Sequence, residues 1–248
     1  MSVYVIHWNA PERCAETVAS LLASGGVDIS VTVIDNASER LPDLPNRVEI
    51  DQQPKNMGYA GAANRALLLA SAEGAEFFAI TSHDIEVAPD AVRGCLEFAI
   101  AHPEYGILGL EGGGANDGSD GWLSGSFMLF RADCVADVGR FDALFGSYCE
   151  DVDYCHRAIA KGWKLGVPAG ARASTRGTFH PERANVLMNA NFTMLAAKEG
   201  DWRRVLRRLA GMLRRSITEP GNGWPQSFSL SCWQLLRLLR RRFRLRLG

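Results

Sequence analysis

Three carboxylates crowd one short stretch, Glu150, Asp151 and Asp153 in Phe145-Gly-Ser-Tyr-Cys-Glu-Asp-Val-Asp-Tyr-Cys-His-Arg157, at the predicted first turn of a helix. Acidic side chains suit that position because they face unpaired amide groups and the positive end of the helix dipole, so capping explains part of the cluster. The aromatic and glycine-containing lead-in, Phe141 to Gly146, adds a second reading. It delivers a carboxylate to a loop-to-helix junction, where a general base meets a substrate hydroxyl.

Other polar residues sit at the ends of apolar runs. Asp84, in Ser82-His83-Asp84, follows such a run directly. A hard divalent cation takes one or two carboxylates and completes its shell with phosphate oxygens and water, so one strand-end aspartate can serve if a diphosphate is bound. The alternative is a loop aspartate capping the helix near Pro89. Asp35-Asn36-Ala37-Ser38 suits hydrogen bonding to a nucleobase or ribose, and is also ordinary turn chemistry. Lys55-Asn56-Met57-Gly58 brings a cation, an amide and a glycine to a helix N-terminus, a favourable place for phosphate.

The elements that must position these groups alternate. Strands are predicted over residues 3–6, 29–34, 76–80, 126–130 and 164–167, and helices over 11–24, 58–72, 89–101 and 150–161. Such alternation implies an α/β domain with a mainly parallel sheet, in which ligands sit beyond the carboxyl ends of the strands. Asn9, Asp35 and Asp84 all fall there. Residues 111–120 form a glycine- and aspartate-rich loop without the Gly-Lys-Ser/Thr of a P-loop, and 172–176 a basic loop.

Composition bounds the rest. The 248 residues can bury a full core, and the six cysteines show no zinc or Cys-x-x-Cys spacing. The chain opens into an apolar strand without a signal-like or membrane-spanning run, which predicts a cytoplasmic protein, with attachment to a membrane face allowed. Charge is uneven: residues 198–248 hold 13 Lys and Arg against 3 acids, a net of +10, whereas the preceding residues hold 14 against 25, a net of −11. We therefore divide the chain into a catalytic domain, 1–200, and a basic helical extension, 201–248. Trp202, Val205, Leu206, Leu209, Met212 and Leu213 fall on one face of a helix, opposite six arginines. A second helical stretch covers 230–247. Adsorption to an anionic bilayer, rather than to nucleic acid, is the expected role; docking on a protein surface is the alternative.

In combination, these motifs resemble the inverting glycosyltransferases of family 2, which carry the nucleotide-sugar-binding GT-A fold. The resemblance runs from Val3 to about His180. It comprises His7-Trp8-Asn9, Asp35-Asn36-Ala37-Ser38, Asn56-x-Gly58 with Ala62-x-Asn64, Ser82-His83-Asp84, Gly121-Trp-Leu-Ser-Gly-Ser-Phe-Met128, Val138-Gly-Arg-Phe-Asp142 and Glu150-Asp-Val-Asp-Tyr-Cys-His-Arg157. It implies a mixed, mainly parallel sheet flanked by helices. It further implies a donor site built from Asn9, Asp35, Asn36, Asn56, Gly58, Asn64 and Asp84, with Asp151 as general base and Glu150 as its runner-up. Ser124 to Ser126 would lie near the acceptor. Asp84, with His180 as a second ligand, would hold Mn2+ or Mg2+ on the leaving diphosphate.

The rhamnosyltransferase-like branch is most similar, which implies a nucleoside diphosphate sugar donor such as dTDP-rhamnose and a glycan or lipid-linked acceptor of polysaccharide biosynthesis. One departure stands out: Ser82 occupies the first position of the family's Asp-x-Asp, so a carboxylate is lost. The alternative reading is accordingly a catalytically weak GT-A-like protein that recruits partners at a membrane surface.

Overall fold

The computed structural model describes residues 1–112, 121–175, 181–219 and 222–247. Most of the expected loop at 111–120, and His180, lie outside the described residues. The chain forms two compact units, one of residues 1–141 and 150–177, the other of residues 142–149 and 178–248.

In the first unit the elements run β1 (Ser2–His7), α1 (Pro11–Leu22), β2 (Ser30–Asp35), β3 (Glu49–Gln52), α2 (Gly58–Ala72), β4 (Phe77–Ser82), β5 (Ile85–Val87), α3 (Ala91–Ala101), β6 (Tyr105–Leu108), β7 (Phe127–Arg131), α4 (Ala132–Val138), α5 (Glu150–Ala160), β8 (Lys164–Gly166) and β9 (Ala173–Thr175). Seven strands make one sheet in the order β3-β2-β1-β4-β7-β6-β8, with β5 and β9 paired separately. Only β7 runs antiparallel to its neighbours in the large sheet. The short apolar runs are buried on both faces, as a sheet covered by helices requires. Val3, Val5, Val31, Val33, Phe127 and Leu129 enter one core with α1 and α3. Tyr4, Ile6, Ile34, Phe78, Ile80, Met128 and Phe130 enter the other, with α2, α4 and α5. The alanine-rich α2 buries Ala60, Ala62, Ala63, Ala66 and Ala70, small residues that let the helix approach the sheet closely.

Register then aligns the chemistry. His7 pairs with Asp35, Asp35 with Gln52, and Ile6 with Ser82, so four parallel strands end on one edge. Because β7 is antiparallel, with Thr81 opposite Phe127, its N-terminal approach through Gly125 and Ser126 arrives at that same edge.

The second unit packs α6 (Pro181–Lys198), α7 (Trp202–Thr218) and α8 (Trp224–Leu247) with the 142–149 segment. Asn191, fully buried, donates to the carbonyls of Phe145, Ser147 and Tyr148 at 2.9, 2.7 and 2.7 Å and accepts from Gln234 at 2.5 Å. Tyr148 and Cys149 adopt φ of 72° and 66°, a left-handed backbone that costs non-glycine residues energy.

Several expectations are corrected. A helix that was not anticipated, α6, falls in the same compact unit as the C-terminal helices. The basic segment at 172–176 contains β9, which pairs with β5, and is not simply a loop. The last helix starts at Trp224, since Pro225 in a first turn forfeits no hydrogen bond. The apolar face drawn on α7 is split: Val205 and Met212 are buried, whereas Trp202, Leu206 and Leu213 are exposed.

Candidate active site

The turn after β1 and the turn after β2 are tied together first. The Ala10 N–H donates to His7 Nε2 at 3.2 Å, which fixes the proton on Nδ1, where it is donated to Asp35 Oδ1 at 2.9 Å. Burial holds the His7 pKa below its ordinary value, while the hydrogen bond to Asp35 works the other way. The Ser38 N–H donates to Asp35 Oδ2 at 3.2 Å. Asp35 is thus fully buried with both oxygens engaged, so it shapes the turn from inside. Asn9, at φ 49°, donates its N–H to Ser38 Oγ at 2.9 Å and accepts from the Glu39 N–H at 2.8 Å. Ala37, at φ 59°, presents the left-handed backbone between them. An open depression of about 410 Å³ lies here, lined by Ala37, Ser38, Gln52, Gln53 and Pro54. A hollow of about 480 Å³ around Met1, Glu76, Phe77 and Arg131 sits at the other end of the strands, away from the acids.

Asn36 and Asn56 anchor the start of α2. Asn36 accepts from the Met57 N–H at 2.8 Å and donates to Asn56 Oδ1 and to the Gly58 carbonyl, both at 3.2 Å. Asn56 Oδ1 also accepts from the Gly58 N–H at 2.8 Å. Gly58 has φ 71°, which explains the glycine. Asn64 stands apart from this group: it brackets the Phe141 backbone, donating to its carbonyl at 2.9 Å and accepting from its N–H at 2.8 Å. Its polar atoms position the Phe141 lead-in.

The acids converge on the head of β7. Asp151 Oδ2 accepts from the Gly125 N–H and Oδ1 from the Val152 N–H, both at 2.9 Å. The Ser126 carbonyl accepts from the Ser82 N–H at 3.0 Å, and Ser82 Oγ donates to Asp84 Oδ1 at 2.5 Å. One Gly125-Ser126 step therefore links the Glu150-Asp151 pair to Asp84. The Tyr59 hydroxyl donates to the Gly125 carbonyl. Burial, then the negative charges of Glu150, Asp151 and Asp84, hold that phenol well above its ordinary pKa, so it remains a donor.

The two neighbouring acids differ. Asp151 is partly exposed; burial raises its pKa, and its backbone hydrogen bonds oppose the rise. A raised carboxylate is a stronger base, suited to taking a proton from a hydroxyl near neutral pH. Glu150 is 4 % exposed, with Oε2 lacking any hydrogen-bond partner among the described residues. Burial first, and the Asp151 charge second, lift its pKa well above the usual carboxylate range. Asp153 is bound to Arg157 at 2.9 Å, and Arg157 in turn holds the carbonyls of Val138 and Arg140.

The donor set was tested for a divalent cation. Asp84 has one oxygen on Ser82 and no hydrogen bond to the other among the described residues. Those residues contain no group of three or more His, Cys, Asp or Glu side chains placed to hold a metal. A single carboxylate fits magnesium or manganese only in the manner of a phosphate-completed shell. His83 is turned the other way, its Nδ1 3.1 Å from the Ile6 carbonyl and its ring edge-on to His7 at 5.6 Å.

Sequence reasoning gave no role to His7, although it lies in a quoted motif, and did not single out Tyr59, which directly follows Gly58. Gly125 falls in the stretch expected near the acceptor, and acts only through its backbone.

Comparison with known proteins supplies the remaining evidence. Forty-three residues are 46 % identical to N-acetylglucosaminyl-diphospho-decaprenol L-rhamnosyltransferase from Mycobacterium tuberculosis, a match covering 17 % of this chain and 14 % of that protein. The match thus spans about a seventh of that relative's length. Mannosyltransferase PcManGT from Pyrobaculum calidifontis, solved with GDP-Man and Mn2+, superposes with a TM-score of 0.61 at 14 % identity, covering 100 % of this chain and 80 % of that one. S. aureus TarS 1–349 in complex with UDP-GlcNAc gives 0.60 at 17 % identity, covering 92 % and 78 %. These likenesses establish the GT-A fold. The family model for glycosyl transferase family 2 matches residues 2–137, more than half the chain, and with the strand-edge acids on that fold it follows that the chain belongs to glycosyl transferase family 2.

Proposed function

We propose that the chain transfers a sugar from a nucleoside diphosphate donor to a hydroxyl of a glycan or lipid-linked acceptor, with inversion at the anomeric carbon and Asp151 as general base. The observation that carries this reading is the hydrogen-bonded path from Asp151 through Gly125 and Ser126 to Ser82 and Asp84. It joins a base to a diphosphate-facing carboxylate across one strand head. In the reaction, the acceptor oxygen bonds to the anomeric carbon as its proton passes to Asp151, and the bond from that carbon to the diphosphate oxygen breaks on the opposite face.

Each neighbouring group has a part. The depression beside Ala37 and Ser38 suits the donor's nucleobase, with Asn9, Asp35, Asn36, Asn56 and Gly58 holding its walls. Tyr59 and Asp151 hold Gly125 from both sides, the phenol on its carbonyl and the carboxylate on its N–H. Asp84 is the residue to hold Mn2+ or Mg2+, which would supply positive charge to the departing diphosphate. The partial similarity to a rhamnosyltransferase favours dTDP-rhamnose as the first donor to try. A cytoplasmic location, peripheral on the membrane's inner face, goes with a lipid-linked acceptor.

The test compares wild type with Asp151→Asn, measuring nucleotide-sugar binding by thermal shift and transfer with and without Mn2+. We expect donor binding to be retained and transfer to fall by about 10²–10⁴-fold. Transfer at the wild-type rate in the variant would remove Asp151 as base. Absence of nucleotide affinity in both proteins would overturn the enzyme reading in favour of a binding module.

A further inference from the structure

Helix α7 contains no acidic residue between Trp202 and Thr218, and it divides into three faces. Val205 and Met212 are buried within the helical unit, and Arg208 donates to Thr193 Oγ1 and to the Asn189 carbonyl of α6. A second face is apolar and open: Trp202 is 43 % exposed, Leu206 66 %, Leu213 50 % and Ile217 77 %. At 3.6 residues per turn these four fall within about 60° of arc. Arg203, Arg207 and Arg214 form the third face, directly along one edge of that stripe. All three are exposed, and none of their guanidinium groups has an ion-pair or hydrogen-bond partner among the described residues.

Exposed large apolar residues in a continuous line indicate a binding surface, since a water-facing helix ordinarily carries polar groups there. We propose that this face of α7 is a docking surface for an anionic lipid bilayer, with Trp202, Leu206, Leu213 and Ile217 inserted at the headgroup level and Arg203, Arg207 and Arg214 on the lipid phosphates. Charge complementarity selects this occupant. The stripe is flanked by Arg203, Arg207 and Arg214 on one edge and by no acidic residue of the helix, within a C-terminal region carrying 13 Lys and Arg against 3 acids. The line from Trp202 to Ile217 is about 22 Å long at 1.5 Å per residue, the geometry of a helix lying in the plane of the interface. Among the described residues, no helix is long and apolar enough to cross a membrane. Helix α8 carries a weaker version, with Trp233 and Leu236 exposed and the Arg237 guanidinium 4.5 Å over the Trp233 ring. The inference deepens the proposed peripheral location and rests on it, but not on the identity of donor or base.

The test is flotation of the full chain with vesicles of phosphatidylcholine alone or mixed with phosphatidylglycerol, with no donor present. Wild type is expected to float with the mixed vesicles only. The triple substitution Arg203→Gln/Arg207→Gln/Arg214→Gln should weaken binding by roughly a hundredfold, at about fivefold per arginine. Leu206→Gln/Leu213→Gln/Ile217→Gln should weaken it by at least about tenfold, through lost apolar burial. Exposure of all six side chains keeps both variants folded, which thermal unfolding would verify. Three outcomes would overturn the proposal: wild type remaining unbound, the apolar variant binding as wild type, or the apolar variant converting a wild-type dimer to monomer without any vesicle binding. Nucleotide-sugar affinity, measured on the same samples, reports separately on the transferase reading.

Discussion

Replacing Glu150 with glutamine isolates the cost of burying its carboxyl. In the folded chain Glu150 is 4 % exposed, Oε2 has no partner among the described residues, and burial together with Asp151 lifts its pKa well above the ordinary 4.5. The unfolded chain loses this proton near 4.5, whereas the folded chain keeps it to higher pH. Between those two values the native state binds more protons than the unfolded state, so stability is fully present below 4.5 and falls as pH rises. The slope approaches at most about 1.36 kcal/mol per pH unit inside that window, so stability drains away as pH rises above about 4.5. Glu150→Gln cannot titrate, so its stability relative to wild type should grow as pH rises through that window, at a limiting rate of about 3–5 °C in melting temperature per pH unit. Thermal unfolding of both proteins across pH 5 to 8 measures the difference of differences, in which titrating groups other than the coupled neighbour Asp151 cancel. A gap that does not widen with pH would refute the reasoning, because Glu150 would then be ionising as in water.

The remaining predictions concern packing and the departure at Ser82. Asn191→Ala removes the side chain that bonds the buried Phe145 carbonyl, the part-buried Ser147 and Tyr148 carbonyls and the Gln234 amide, at about 1–3 kcal/mol for each important loss, so the helical unit should unfold about 6–15 °C lower. A melting temperature within about 2 °C of wild type would show that water replaces these bonds without cost. Ser82→Asp removes the hydroxyl that donates to Asp84 and sets a second carboxylate beside it. Without metal it should destabilise by about 1–3 kcal/mol; with Mn2+ it should gain a thermal shift larger than that of wild type. An unchanged response to Mn2+ would separate Asp84 from metal binding.

The parts of the fold legible from sequence are those where burial follows a period. Strands such as Ser2–His7 and Phe77–Ser82 are runs of apolar residues covered on both faces, and helix Gly58–Ala72 starts at a glycine needing φ 71° and carries its alanines inward. Strand Glu49–Gln52 was not visible, because it lies at the sheet edge with mainly polar, exposed side chains. Helix Pro181–Lys198 was hidden for the opposite reason: Ala190, Asn191, Thr193, Met194, Leu195, Ala196 and Ala197 are all buried, which wraps its C-terminal half, while the exposed Glu182, Arg183 and Asn185 lie in its first half, so no polar stripe runs its length. In α8 the buried line is Ser227, Ser231, Gln234 and Leu238, a seam whose hydrogen bonds rather than apolarity hold it inside.

The same distinction governs the site. Glu150, Asp151 and Asp84 announce themselves because a carboxylate at an element's end is chemistry that can be read locally. What turns them into one arrangement is non-local: the antiparallel placement of β7 between β4 and β6, which sets a glycine N–H against Asp151 and a serine carbonyl against Ser82. Those contacts are made by backbone atoms, identical in every residue, so no residue type in the sequence could signal them. Asp35 shows the converse. Its place at a strand end suggested a ligand-facing side chain, yet His7, one strand over, draws it inside, where both its oxygens are engaged. A polar residue at a strand end is therefore a marker of the ligand edge, and only register decides whether it meets the ligand or builds the wall behind it.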